Sequence, residues 1–137
     1  MEASALLIEG HSQRVVIHSP RYADEGWLDQ YTVRLEAEGL SAEAVVERAY
    51  SAEDLVAFFR DLEANWQGWA GEKIWKAFDE QLEISAKMSL QGRVALAFRL
   101  RKPEFDEGWA CLATICFYAG ELRELSTRVS QFFGHEP

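Results

Sequence analysis

The sequence predicts an α+β fold: an antiparallel sheet of about seven or eight strands with two amphipathic helices, about 52–66 and 120–133, packed on one face. Two observations predict it. Short runs that alternate apolar and polar residues fill most of the chain, and that alternation marks half-buried strands. Each half of the chain then closes on a segment whose apolar residues recur at helical spacing. A chain of 137 residues fits a single domain (1–137) and buries a sizeable core without metal or disulfide support.

In chain order, "ALLIE" (5–9) and "RVVIH" (14–18) flank "GHSQ" and read as a hairpin. "SPRYADEGWLD" (19–29), punctuated by Pro20 and Gly26, reads as a loop. "YTVRLEAE" (31–38) sets Val33, Leu35 and Ala37 against Thr32, Arg34, Glu36 and Glu38, and "EAVVERAY" (43–50) returns as its partner. Ser51 then stands as an N-cap, Leu55, Phe59, Leu62 and Trp66 share one helix face, and Gly68 takes the left-handed position that ends a helix. "KIWKAF" (73–78), "QLEISAKMS" (81–89) and "RVALAFRLR" (93–101) are the next strands, the last two alternating cleanly. After a loop at 102–108, "WACLATICFY" (109–118) is apolar on both faces, which predicts a central strand. The closing helix places Leu122, Leu125, Val129 and Phe132 on one face. Strands followed by a helix, twice over, suggest a pseudo-repeat. The tetrapeptide "DEGW" recurs at a different offset (24–27 and 106–109) and reads as turn chemistry with an anchoring tryptophan.

With 48% hydrophobic and 27% charged residues, the composition is that of a soluble globular protein. "MEASALLIEG" has no basic leader, and the longest nearly apolar stretch, 109–119, is too short to span a membrane, so a cytoplasmic location is expected. Cys111 and Cys116 fall on opposite faces of one strand-like run and are expected as buried free thiols of a reducing compartment. The net charge of −9 is uneven: residues 1–68 hold 13 acids against 5 bases, and every lysine lies in the second half. That balance predicts no nucleic-acid partner, since nucleic acid demands a basic footprint, and it suits a basic protein partner. No membrane partner is expected, and a homodimer is a further candidate.

Catalytic spacing is thin. His11, His18 and His135 are scattered outside any zinc-ligand pattern, and no nucleophile elbow, phosphate loop or dinucleotide fingerprint occurs, so no metal or cofactor is expected. Asp79–Glu80 and Asp106–Glu107 sit in turns, where acids serve the backbone. Glu36, Glu38, Glu43 and Glu47 line the outer face of one hairpin near Arg34 and Arg48: a solvated face, or a partner-docking patch. Arg93, Arg99 and Arg101, joined by Lys102, form a stripe that is either the wet side of a sheet or an anion site. Trp66, Trp69 and Trp75 crowd one short stretch. They are either a stacking platform for a small ligand or core aromatics, with Trp66 finishing the helical stripe and the other two folded beneath it.

The run 58–86 resembles the centre of an uncharacterised bacterial family catalogued as domain of unknown function 6228. Phe59, Leu62, Trp66, Gly68, Trp69, Gly71 and Trp75 match its Trp-x-Gly-Trp-x-Gly core. Leu82, Ala86, Gly92, Val94, Trp109, Gly120, Glu121, Leu125 and Phe132–Phe133 continue the likeness over nearly the whole chain, residues 1–25 matching weakly. Arg93 departs from it, standing where the family often has His. The resemblance implies a small stand-alone bacterial protein and supplies no activity. The residues themselves predict a non-enzymatic interaction module, for instance an immunity-like protein that occludes a basic partner. The alternative is a small-ligand-binding domain using the tryptophans. An enzyme, the third reading, would show itself as a cleft holding Glu or Asp beside His18 or an arginine.

Overall fold

The computed structural model describes residues 5–49, 52–103 and 107–134. The strands are β1 (Ala5–Glu9), β2 (Gln13–Tyr22), β3 (Leu28–Ala37), β4 (Leu40–Glu47), β5 (Lys73–Lys76), β6 (Leu82–Met88), β7 (Arg93–Lys102) and β8 (Trp109–Tyr118). Helix α1 (Ala52–Ala64) separates the two sets of four strands, and α2 (Leu122–Phe132) follows β8 through a 3-10 turn at Ala119–Glu121.

The class is α+β, but the eight strands form two antiparallel sheets, β1-β2-β3-β4 and β5-β6-β7-β8, not one. The reason lies in the alternation. Each set has one dry face: Val15, Ile17, Tyr31, Val33, Leu35 and Val46 in the first, Leu82, Ile84, Leu96, Phe98, Leu100 and Ile115 in the second. A continuous eight-stranded sheet would leave a dry face too wide for helices of 13 and 11 residues to cover. Two sheets cover each other instead, with β2 and β3 meeting β8 and β4 meeting β7, around one continuous core. The helices therefore do not lie side by side on one sheet face. They pack on each other, and α2 also packs on β1.

Two strands depart from expectation. The segment expected as a loop at 19–29 is mostly ladder: β2 continues to Tyr22 through a bulge between His18 and Arg21, and the turn is confined to Ala23–Trp27, where Gly26 takes φ 100°. Pro20 lies within the register shift, which spares its missing N–H a place in the ladder. Strand β8 is not central but an edge, paired only with β7, and its second apolar face is exposed. Cys116 lies on that face and is exposed, contrary to the expectation of a buried thiol; Cys111 is half-buried, and both are free. Beyond β8, the Gln13 side-chain oxygen accepts the Thr114 N–H at 2.9 Å, tying the edge to the first sheet. Ser51, expected as an N-cap, and His135 lie outside the described residues.

Candidate functional site

The outer face of the second sheet carries charge of the opposite sign to the chain. Period-2 alternation along β7 points Arg93, Arg99 and Arg101 away from the core, with Ala95 and Ala97 between them. The register places Glu83 opposite Arg99 and Lys87 opposite Ala95 on β6, with Tyr118, Leu112 and Ala110 opposite Arg93, Arg99 and Arg101 on β8. Lys76 and Ile74 extend the face onto β5. Small side chains (Ser85, Ala95, Ala97, Thr114) make a low floor, and long basic side chains rise at both ends.

Lys76, Lys87, Arg93, Arg99 and Arg101 stand there against the carboxylate of Glu83. The two lysine pairs, Lys76–Glu83 at 3.9 Å and Lys87–Glu72 at 3.8 Å, are long and exposed, and such pairs neutralise little. Among the described residues no carboxylate lies within ion-pair distance of the three arginines. The Arg93 guanidinium lies over the Tyr118 ring, 5.4 Å from its centroid. Tyr118 at 59% and Leu112 at 62% exposure give the face an apolar border. The arginine stripe was legible in the sequence. The border was not, because a strand apolar on both sides reads as buried until its edge position is known.

The first sheet shows the reverse arrangement, and two of its glutamates, Glu36 and Glu43, are engaged. Glu36 accepts from Arg14 Nε and, at 2.6 Å, from Arg34 Nε. The Arg14 hydrogen bond foremost, with Arg34 assisting, holds the Glu36 carboxyl below the usual carboxylate range. Glu43 accepts from Arg34 Nη1 at 3.4 Å and pairs with His18 Nε2 at 3.0 Å. Glu38 lies in the β3–β4 turn and Glu47 at the far end of β4, apart from the paired Glu36 and Glu43. The sheet supplies counter-charges for Glu36 and Glu43 itself. Where β4 approaches the end of β7, His18, Thr32, Glu43, Glu47, Gln81 and Lys102 line a cleft of about 520 Å³.

The three tryptophans do not share a surface. Trp75 is buried in the core, and Trp69 is half-buried with its indole N–H donating to the Ala86 carbonyl at 3.0 Å. Trp66 is 56% exposed, because α1 ends at Ala64 and Trp66 leaves the helical stripe it was expected to complete. Gly68 does take the left-handed conformation there, with φ 131°. Among the described residues no three metal-ligating side chains converge, and no helix is long and apolar enough to cross a membrane.

Solved structures of similar fold exist at low sequence identity. The plant transcriptional regulator PBF-2 is 8% identical, with a TM-score of 0.50 over 95% of this chain and 82% of that chain. WHY3 from Arabidopsis thaliana is 11% identical, with a TM-score of 0.50 over 98% of this chain and 89% of that chain. These are likenesses of fold. They nevertheless overturn the exclusion of nucleic acid drawn from net charge, since a transcriptional regulator shares this architecture and net charge says nothing of where the charges lie. The basic protein partner inferred from the same charge loses support too, because Glu36 and Glu43 already pair with Arg14 and Arg34. No curated protein matches the chain in sequence. The residues that suggested a family are part of a match extending over residues 7–136, and the chain belongs to the family of unknown function DUF6228.

Proposed function

We propose that the chain is a binding module, without chemistry of its own on this face, that holds an unpaired nucleic-acid strand across the outer face of the second sheet. The observation that carries this reading is the gathering of Lys76, Lys87, Arg93, Arg99 and Arg101 on one face of a chain whose net charge is −9. Phosphates would follow the arginines of β7, and a base would stack on Tyr118 at the apolar border. A duplex turns its base faces inward and would leave Tyr118 and Leu112 against phosphate, which disfavours it. The fold shared with a transcriptional regulator supports the same reading.

Fluorescence anisotropy with a labelled oligonucleotide of unpaired thymidines, set beside a duplex of equal length, tests it. Binding is expected to weaken with salt, with a log–log slope of about −0.7 per phosphate neutralised. Arg93→Ala and Arg99→Ala should each flatten the slope by roughly one phosphate contact, and Tyr118→Ala should weaken binding without changing the slope. No binding at low salt, or slopes untouched by the arginine changes, would contradict it. A second reading retains one tryptophan: exposed Trp66, with Glu63 and Arg123, lines a groove of about 370 Å³ that fits a small aromatic or cationic ligand. Its sign would be ligand quenching of fluorescence that disappears in Trp66→Phe.

A further inference from the structure

The β2 bulge places a serine, a histidine and a glutamate in hydrogen-bonded sequence beside the cleft on the first sheet. Adjacent residues of a regular strand point to opposite faces, so Ser19 and His18 ought not to meet. Ser19 instead takes φ 53°, a left-handed conformation that non-glycine residues seldom adopt and that a following proline disfavours further. The bulge thereby returns the Ser19 hydroxyl to the side of the His18 ring, 2.8 Å from Nδ1. On the other side of the ring, Nε2 lies 3.0 Å from Glu43 Oε1. A nitrogen facing a carboxylate carries the proton, so Nδ1 presents its lone pair to the Ser19 O–H. Arg34 Nη1, 3.4 Å from the same Glu43 oxygen, fixes the carboxylate in turn. Strained backbone under a hydroxyl that donates to an oriented imidazole is the arrangement of an activated nucleophile. His18 and Glu43 also line the cleft of about 520 Å³, and exposed Ser19 stands beside it, on the Nδ1 side of the His18 ring, where a small substrate has access.

We propose that Ser19, His18 and Glu43 hydrolyse small esters by acyl transfer, an activity that goes beyond nucleic-acid binding and uses the other sheet. Ser19 Oγ adds to the ester carbonyl carbon as its proton passes to His18 Nδ1, and the imidazolium so formed rests against Glu43. The bond to the alcohol oxygen breaks, and the Nδ1 proton leaves with that oxygen as the free alcohol. Water then adds to the acyl-Ser19 ester and gives a proton to Nδ1. That proton returns to Ser19 Oγ as the carboxylic acid departs, so ester and water yield acid and alcohol. Thr32, opposite His18 in the β2–β3 register, and Lys102 line the same cleft as His18 and Glu43. Ser19 and His18 are the catalytic residues, and Glu43 is a positioning residue.

The test is reaction of the full chain with a fluorophosphonate reagent, followed by intact mass and peptide mapping, with p-nitrophenyl acetate turnover measured in parallel. One adduct is expected, on Ser19. His18→Ala should slow labelling by roughly 100-fold or more, the usual contribution of a general base. Ser19→Gly keeps the left-handed backbone without a side-chain clash and should abolish both labelling and turnover. Glu43→Gln should slow labelling, and Glu43→Asp should restore part of the rate, which a purely structural role would not do. Absence of any adduct on the wild-type chain, an adduct at another residue, or equal turnover by Ser19→Gly overturns the proposal. The wild-type map requires no variant to fold, and Ser19→Gly leaves the arginines of β7 in place, so oligonucleotide binding reports separately.

Discussion

Trp69 holds the segment after α1 by one hydrogen bond, from its indole N–H to the Ala86 carbonyl at 3.0 Å. Trp69→Phe keeps most of the ring packing and removes the donor. A loss of about 1 kcal/mol in chemical denaturation is expected, against about 3–5 kcal/mol for Trp75→Ala in the core. Glu36 makes a pH-dependent contribution of definite sign. Its carboxyl is held below the ordinary range by the Arg14 hydrogen bond, so the folded chain releases that proton more readily than the unfolded one. The stability it adds is therefore present above the ordinary carboxylate range and is lost as pH falls through its lowered pKa. Glu36→Gln should lower the neutral plateau of a stability–pH curve and flatten its acid limb; an unchanged acid limb would count against the assignment. At this scale the sequence identified which residues face outward, such as Glu43 and Arg93, but not whom they meet. That Glu43 pairs with His18 depends on a register across three strands and on a bulge that no local signal announced.

The elements divide by how local their causes are. Strands β6 and β7, and β3 from Tyr31 onward, alternate, and their inward residues could be read directly from period 2. Partition into two sheets could not, because alternation says which face of a strand is dry and not which neighbour covers it. Strand β8 is the instructive case. Its inward row, Ala113, Ile115 and Phe117, is buried, and its outward row holds Leu112, Cys116 and Tyr118 in solvent. Hydrophobicity on both faces thus had two physical causes, burial on one and an open apolar border on the other. Paired substitutions separate them. Leu96→Ala, in the core between the sheets, should cost about 2–5 kcal/mol, whereas Leu112→Ala should stay within about 0.5 kcal/mol of wild type by thermal or denaturant unfolding. A large loss at Leu112 would mean that β8 is covered after all.

Across the whole molecule, two sheets pack dry face to dry face and present outer faces of opposite character. The first pairs Glu36 and Glu43 with Arg14 and Arg34; the second carries three arginines that, among the described residues, have no carboxylate within ion-pair distance, around a floor of small residues. Net charge, the quantity most easily taken from a sequence, averaged over these faces and pointed away from nucleic acid. Only the strand order β5-β6-β7-β8 shows that bases spread between Lys76 and Arg101 come to one side. This side is the proposed seat of an unpaired strand. Amide chemical-shift mapping by NMR tests it most directly, titrating the labelled chain with a short thymidine oligonucleotide at low salt. Perturbations are expected at Ser85, Ala95, Ala97, Thr114 and Tyr118, fading as salt is added. Perturbations gathered instead around Arg14 and Arg34, or in the groove beside Trp66, or no perturbation at all, would contradict it.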